Sequence, residues 1–290
     1  MNLEYISATG SRLPLVTNEY FELTHVDGQT AASTSVSSNV IGGADGDSVT
    51  NVQADPRNII LDLRIKSGVD VEAAKRHILK IVKIKQRGTL EWTQRERTLS
   101  ISGIVESVEM PRWTNKVIMQ ITLRCDQPFW EDAEFIVQQI SEAISLHYFT
   151  TDANDMLYFP EDGIVLGEYD TIRTRHFHND GDVSVGLELS IVALDTVTNP
   201  IIYDGNGNFF GIGYGDGERK VVMQMGDNII VKTHKGQKSV TMGGVNLLPK
   251  IRPKSTWLQM AAGDNLFTIN SDDESLTNMK FSVIYKQRYV

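Results

Sequence analysis

The sequence predicts a mainly β protein in two parts, an α+β N-terminal domain followed by a C-terminal β-sandwich. Three observations support this. Apolar side chains recur at every second position in most patterned segments, one amphipathic helical stretch interrupts them early, and the charge balance changes near residue 130. Residues 1–130 carry 15 basic and 15 acidic side chains, whereas residues 131–290 carry 13 and 22, so the whole formal net charge of −9 lies in the second part. The 290 residues fit about two domains at roughly 150 residues each, and a hydrophobic content of 41% is enough for ordinary packed cores.

Within residues 1–130, Ile59, Leu61, Leu63 and Ile65 alternate with Ile60, Asp62, Arg64 and Lys66, which predicts a strand with one buried face. Val117, Met119, Ile121, Leu123 and Cys125 repeat the pattern, Leu99, Ile101, Gly103 and Val105 make a third strand, and Gly88–Trp92 a fourth. Asp70 is placed to cap a helix over about Val71–Lys85, with Glu72 in the first turn where the helix dipole favours negative charge. Val71, Ala74, Ile78, Ile81 and Val82 share one face of that helix, and Lys75, Arg76, Lys80 and Lys83 lie elsewhere. The order strand–helix–strand–strand–strand predicts a helix covering one side of a mainly antiparallel sheet. Residues 27–57 nearly lack large apolar side chains and are rich in Gly, Ser, Thr and Asp. Such a length is either a functional loop ordered by a neighbour or a long hairpin whose arms find partners only in an assembly.

Residues 131–157 read as a helical connector, because Ala133, Ile136, Val137, Ile140 and Ile144 fall at helical spacing between Asp132 and His147. From 158 to 290 short strands alternate with turn signals such as Asn179–Asp180–Gly181–Asp182, Asp204–Gly205–Asn206–Gly207, Gly226–Asp227–Asn228 and Gly243–Gly244. Val183/Val185/Leu187/Leu189/Ile191, Ile229/Val231 and Phe281/Val283/Tyr285 supply the strands, and regular spacing of this kind predicts a sandwich. No internal repeat is evident.

Composition narrows the function. A net charge of −9 and a pI near 5.2 argue against generic nucleic-acid or anionic-membrane binding. The single cysteine, Cys125, excludes an internal disulfide framework and a multi-cysteine zinc site. Apolar runs fall far short of the ~20 residues that span a bilayer, and the opening MNLEYISATGSRLP lacks the basic-then-apolar pattern of a secretion signal, so cytoplasmic synthesis is expected. His176 and His178, two apart on a strand, could offer two metal ligands from one face, but spacing places no third, and no metal is expected. The run Gly211–Gly217 lacks the strand–helix context and the Gly-Lys-Ser/Thr of a phosphate loop and reads as a flexible β-turn run. Asp204, Asn206 and Asn208 have calcium-loop spacing, but Phe209 and Gly215 stand where Gly and Glu are needed, leaving a hairpin turn. Cys125 alternates with core positions and reads as a small buried apolar residue. Neither Gly-x-Ser-x-Gly nor His-Glu-x-x-His occurs, so no catalytic residue and no cofactor is assigned and an enzyme is not expected. Residues 64–97 hold ten basic and four acidic side chains, either a solvated helix face or an electrostatic seam against an acidic neighbour.

An ordered series of fragments then comes together. The turn Gly43–Ala44–Asp45–Gly46 precedes the strand Arg57-Asn-Ile-Ile-Leu-Asp-Leu, the basic helix, and a strand ending in Cys125–Asp126–Gln127–Pro128–Phe129–Trp130. Leu157–Tyr158–Phe159–Pro160, His178-Asn-Asp-Gly-Asp-Val-Ser-Val, Thr198–Asn199–Pro200–Ile201–Ile202, Ser239-Val-Thr-Met-Gly-Gly-Val-Asn246, Ser255–Thr256–Trp257, Gly263–Asp264–Asn265 and Val283-Ile-Tyr-Lys-Gln-Arg-Tyr-Val290 follow. In this order the set resembles the distal tail protein family of long-tailed bacteriophages and phage-derived tail particles, from about residue 40 to the C-terminus. The resemblance implies a tail-tube-like N-terminal fold with one flanking helix, six copies of which close into a ring, and an outward-pointing sandwich that is galectin-like or carbohydrate-binding-module-like. It implies a baseplate hub protein in the virion tail, joining the tail tube protein to the tail tip and to receptor-binding parts. Lys75, Arg76, Lys80 and Lys83 are then candidates for a subunit seam. An alternative function is binding of host surface glycan by the C-terminal sandwich, with Tyr203, Phe209, Phe210 and Tyr214 as candidate contacts unless they fill the core.

Overall fold

The computed structural model describes residues 2–40, 42, 45–110, 117–139, 143–145, 167–169, 174–273 and 278–290. It is mainly β, and the chain divides into two compact units. The first comprises Met1–Glu134 together with Arg288–Val290, and the second Phe135–Gln287.

The first unit contains β1 (Asn2–Ser7), β2 (Arg12–Pro14), β3 (Phe21–Asp27), β4 (Thr34–Val40), β5 (Asp47–Ala54), β6 (Arg57–Ile65), α1 (Val71–Ile81), β7 (Arg87–Gln94), β8 (Arg97–Glu109), β9 (Ile118–Cys125) and β10 (Trp130–Asp132). An antiparallel sheet runs β2-β1-β7-β8-β9-β6-β3, and β10 bridges β8 and the terminal strand Arg288–Tyr289. The alternation in the sequence is realised directly. Ile59, Leu61, Leu63 and Ile65 of β6 face inward beside Leu123, Ile121 and Met119 of β9, in a register that pairs Leu61 with Ile121. Asp70 caps α1, its carboxylate accepting the Glu72 N–H at 3.1 Å, worth about 1 kcal/mol. Ala74, Ile78 and Val82 are fully buried in the same core as the sheet residues, so α1 covers one side of the sheet. The helix stops at Ile81 rather than reaching Lys85. Val82 is extended, Lys85 has a φ of 68°, and the Lys85 N–H donates to the Val105 carbonyl, joining this turn to β8. Three strands that the sequence reading left unassigned, β1 to β3, complete the sheet; Leu3, Tyr5, Leu13 and Phe21 bury from them.

The second unit is a two-layer sandwich. One sheet orders the strands Ile136–Gln139, Met279–Tyr285, Glu188–Ala193, Asn228–Lys232, Ser239–Met242 and Val245–Asn246; the other orders Thr174–Asn179, Gly263–Asn270, Ile201–Asp204 and Phe209–Gly211. Leu189, Ile191, Ile229, Val231, Phe281 and Val283 from the larger sheet meet Phe177, Ile202, Phe210, Phe267 and Ile269 from the smaller in one core. The expected connector helix is corrected here. Residues 130–132 and 136–139 are strands, the latter pairing with Ser282–Tyr285, and Ala143–Ser145 pairs with Gly167–Tyr169; residues 140–142 and 146–147 lie outside the described residues, as does Leu157–Pro160. A short apolar run satisfies either period, and a partner strand from the end of the chain supplied the hydrogen bonds that decide between them.

Candidate assembly surface

Between β3 and β6 the chain leaves the sheet as a hairpin, β4 paired antiparallel with β5, and nearly every residue of both arms is exposed. A bulge governs its chemistry. Ser37 pairs with Asn51 but Ser38 with Val49, so Thr50 is the extra residue on β5. Had Thr50 taken an ordinary place in the ladder, alternation would have put Val49 on the face opposite Val52. With the bulge, Val36, Val40, Val49 and Val52 all project from one face, 57%, 84%, 56% and 59% exposed, while Ser35, Ser37, Asn39, Ser48, Asn51 and Gln53 occupy the other. A two-stranded ribbon with an uncovered apolar face is marginal by itself in water. Of the two sequence expectations for residues 27–57, the structure realises the hairpin.

The hairpin root is fastened. Arg57, 6% exposed, donates from Nη1 to the carbonyls of Thr30 at 2.8 Å and Gly28 at 3.2 Å. Gly28 has a φ of +79°, and a Cβ there would stand 2.1 Å from the Asn58 carbonyl oxygen, so only glycine permits this departure from the sheet. Asp55 accepts from the Ser35 hydroxyl at 2.7 Å, tying the base of the two arms together.

Of the four basic candidates, Arg76, Lys80 and Lys83 are exposed on α1 and the turn after it, and make no ion pair among the described residues; Lys75 is half-buried and lies 3.7 Å from the Glu72 carboxylate. Leu79 and Ile84 are exposed among them, by 37% and 52%. The aromatic candidates separate. Phe210 is a correction: at 1% exposure it lies in the sandwich core, 4.9 Å from the Trp257 ring, and offers no surface to a ligand. Its strand neighbour Phe209 points the other way and meets Tyr203 at 5.9 Å, both half-buried, because side chains alternate across the sheet. Tyr214, also half-buried, accepts a hydrogen bond from Arg219 at 2.6 Å.

The other polar features are structural in this geometry. His178 meets Asp264 at 2.6 Å through Nδ1, a contact that raises its pKa, and the Asp180 carboxylate lies 3.4 Å from Nε2. The described residues bring no group of three His, Cys, Asp or Glu side chains into metal-holding range. The Asp204 carboxylate accepts from the Asn206 and Asn208 N–H groups and from the Asn208 side-chain amide, closing its own turn. The Gly211–Gly217 run divides: Gly211–Gly213 is buried, the Gly211 N–H donating to Ser255 Oγ and Arg252 Nε to the Gly213 carbonyl, whereas residues 215–217 are exposed as a turn run would be. Burial pushes the Cys125 thiol up to about 11, so it is protonated and inert at neutral pH. No helix among the described residues is long and apolar enough to cross a membrane.

No protein-family model matches the chain, and no curated protein sequence matches it significantly. Solved structures do. The chain is 12% identical to the Dit (gp 19.1) protein of phage SPP1, described as a paradigm of the hub adsorption apparatus in phages that infect Gram-positive bacteria. That match covers 99% of both chains with a TM-score of 0.64. A chain of the phage P2 baseplate in its activated conformation with Ca is 14% identical, covering 100% of this chain and 99% of that one, with a TM-score of 0.46. This chain therefore has the fold of a phage distal tail protein.

Proposed function

We propose that the chain is a structural baseplate hub protein. Copies close into a ring, six by the family resemblance, at the distal end of a phage or phage-like tail and join the tail tube to the tip and adhesion components. The observation that carries this reading is the fold match over 99% of both chains. The surface fits the work. A closed ring needs a heterologous interface in which one face of each copy meets a different face of the next. The first unit offers unlike faces: the β3 edge with its apolar hairpin, and a basic helix. In this reading residues 27–57 reach to the neighbouring copy or to the tube above.

The purified chain should show a ring in electron micrographs and a multiple of 32.4 kDa by light scattering. A monomer at every concentration, and after mixing with tube and tip proteins, would overturn the reading. Deleting residues 30–50 should abolish assembly while leaving both units folded, because the described residues among them place no side chain in either core.

A second reading, glycan binding by the sandwich, is favoured by one observation, the half-exposed Tyr203–Phe209 pair beside Thr268 on the outward side of the smaller sheet. Paired rings offer a stacking platform, and hydroxyls can orient a sugar. A glycan array probed with the full chain should then give saccharide-specific binding that is lost in Tyr203→Ala; no binding removes this reading and leaves the first untouched.

A further inference from the structure

Two exposed apolar surfaces of the first unit carry charge, and the charges are opposite. The hairpin holds Asp45 and Asp47 at its tip beside the four-valine face, with no basic residue between Gly28 and Pro56. The surface of α1 and its following turn holds Leu79 and Ile84 set among Arg76, Lys80 and Lys83. Asp45 and Asp47, like those three cations, make no ion pair among the described residues. Hairpin and helix surface are exposed together in one chain, so neither covers the other within a molecule. Their lengths suit each other: arms of 7 and 8 residues extend about 25 Å, and 11 helical residues with the turn beyond about 20 Å.

We propose that the valine face of the hairpin seats on the α1 surface of a second copy, Val36, Val40, Val49 and Val52 covering Leu79 and Ile84, with Asp45 and Asp47 meeting Lys80 and Lys83. This rests on the ring reading and specifies which two surfaces make its heterologous contact. The Thr50 bulge is then functional, since it brings Val49 onto the valine face. Apolar burial holds the contact, and the charges set its register and discriminate against hairpin–hairpin pairing, in which acidic tips would meet.

A charge exchange in the full-length chain tests it, with assembly followed by light scattering at low and high salt. Asp45→Lys/Asp47→Lys and Lys80→Glu/Lys83→Glu should each weaken assembly at least about tenfold, more strongly at low salt. The chain carrying all four changes should recover to within about threefold of the parent, because each reversed tip again meets an opposite charge. Val36→Thr/Val52→Thr, nearly isosteric, should weaken assembly at both salt concentrations. Melting temperatures within about 2 °C of the parent establish that these exposed changes leave the fold alone. If only the hairpin variants lose assembly, or the four-change chain fails to recover, the helix is not the seat and the inference falls; the hairpin then sits on the tube or elsewhere. If all variants assemble as the parent does, the inference falls and the ring reading survives. A parent chain that never assembles overturns both.

Discussion

Replacing Asn199 with alanine should destabilise the second unit by about 3–5 kcal/mol. Asn199 is 1% exposed and has a φ of 50°. Its Oδ1 accepts the buried Val221 N–H at 2.9 Å, and its Nδ2 donates to the Asp272 carboxylate at 2.9 Å and to the Gly215 carbonyl at 3.3 Å. Leaving the Val221 N–H without a partner costs about 1–3 kcal/mol, and losing a bond to a charged group about 1.5–3. Alanine also lacks the side-chain amide that eases asparagine into left-handed backbone, which adds up to about 1 kcal/mol. Partial relaxation brings the whole into the stated range, a fall in melting temperature of roughly 10 °C for a unit of this size. The neighbourhood resists relaxation: Gly213, at a φ of +83°, lies so close that a Cβ on it would be 2.2 Å from Asn199 Oδ1, and Arg252 clamps Asp272 through two 2.6 Å contacts. Asn199→Gly isolates the backbone part, since it loses the same bonds without the strain; it should be about 1 kcal/mol more stable than Asn199→Ala. Urea unfolding by fluorescence and calorimetry measures both. An alanine variant within 1 kcal/mol of the parent, or a glycine variant no better than alanine, refutes this account of the loop.

Gly28→Ala should release the hairpin root, because a Cβ cannot fit against the Asn58 carbonyl; hydrogen exchange should quicken over residues 28–33 while the sheet stays protected, and unchanged exchange there would contradict it. Cys125 should react with a thiol reagent at pH 8 only as fast as the first unit opens, so rapid labelling of the folded chain would refute its burial. Its raised pKa also has a sign for stability: the protonated thiol is favoured in the folded state, so the contribution is complete below about pH 9 and lost as pH rises towards 11. Unfolding measured across that window should show stability falling, on the order of 2 kcal/mol from this group, and less so in Cys125→Ala. NMR titration should find His178 above its ordinary value and lowered by Asp264→Asn, since the Asp264 contact favours the charged ring; a midpoint at or below 6.5 in the parent would show the contact is not made in solution.

Where local patterning and tertiary environment agreed, the chain could be read directly. The alternation at Ile59–Ile65 and Met119–Cys125 and the Asp70 cap each express one side-chain preference within a few residues, and each appears in the structure. Reading failed where the deciding partner is distant. Ile136–Gln139 is a strand because Ser282–Tyr285 pairs with it, against helical spacing. Phe209 and Phe210 were equal as candidates until the sheet's alternation sent one outward and the other into the core. Asn199 was legible only as part of the Thr198–Ile202 fragment; its structural worth was not, because that depends on Val221, Asp272 and Gly215 converging on it.

By itself the sequence determined a mainly β chain with an amphipathic helix after Asp70, a charge asymmetry between its parts and a long polar insertion over residues 27–57, because composition and periodicity are local properties. Only the tertiary structure decided that the last three residues return to the first unit and that four valines share one face of the hairpin. The physical reason is the same in both cases. Strand partnership and register are long-range choices, and one extra residue such as Thr50 turns the side chains beyond it to the other face.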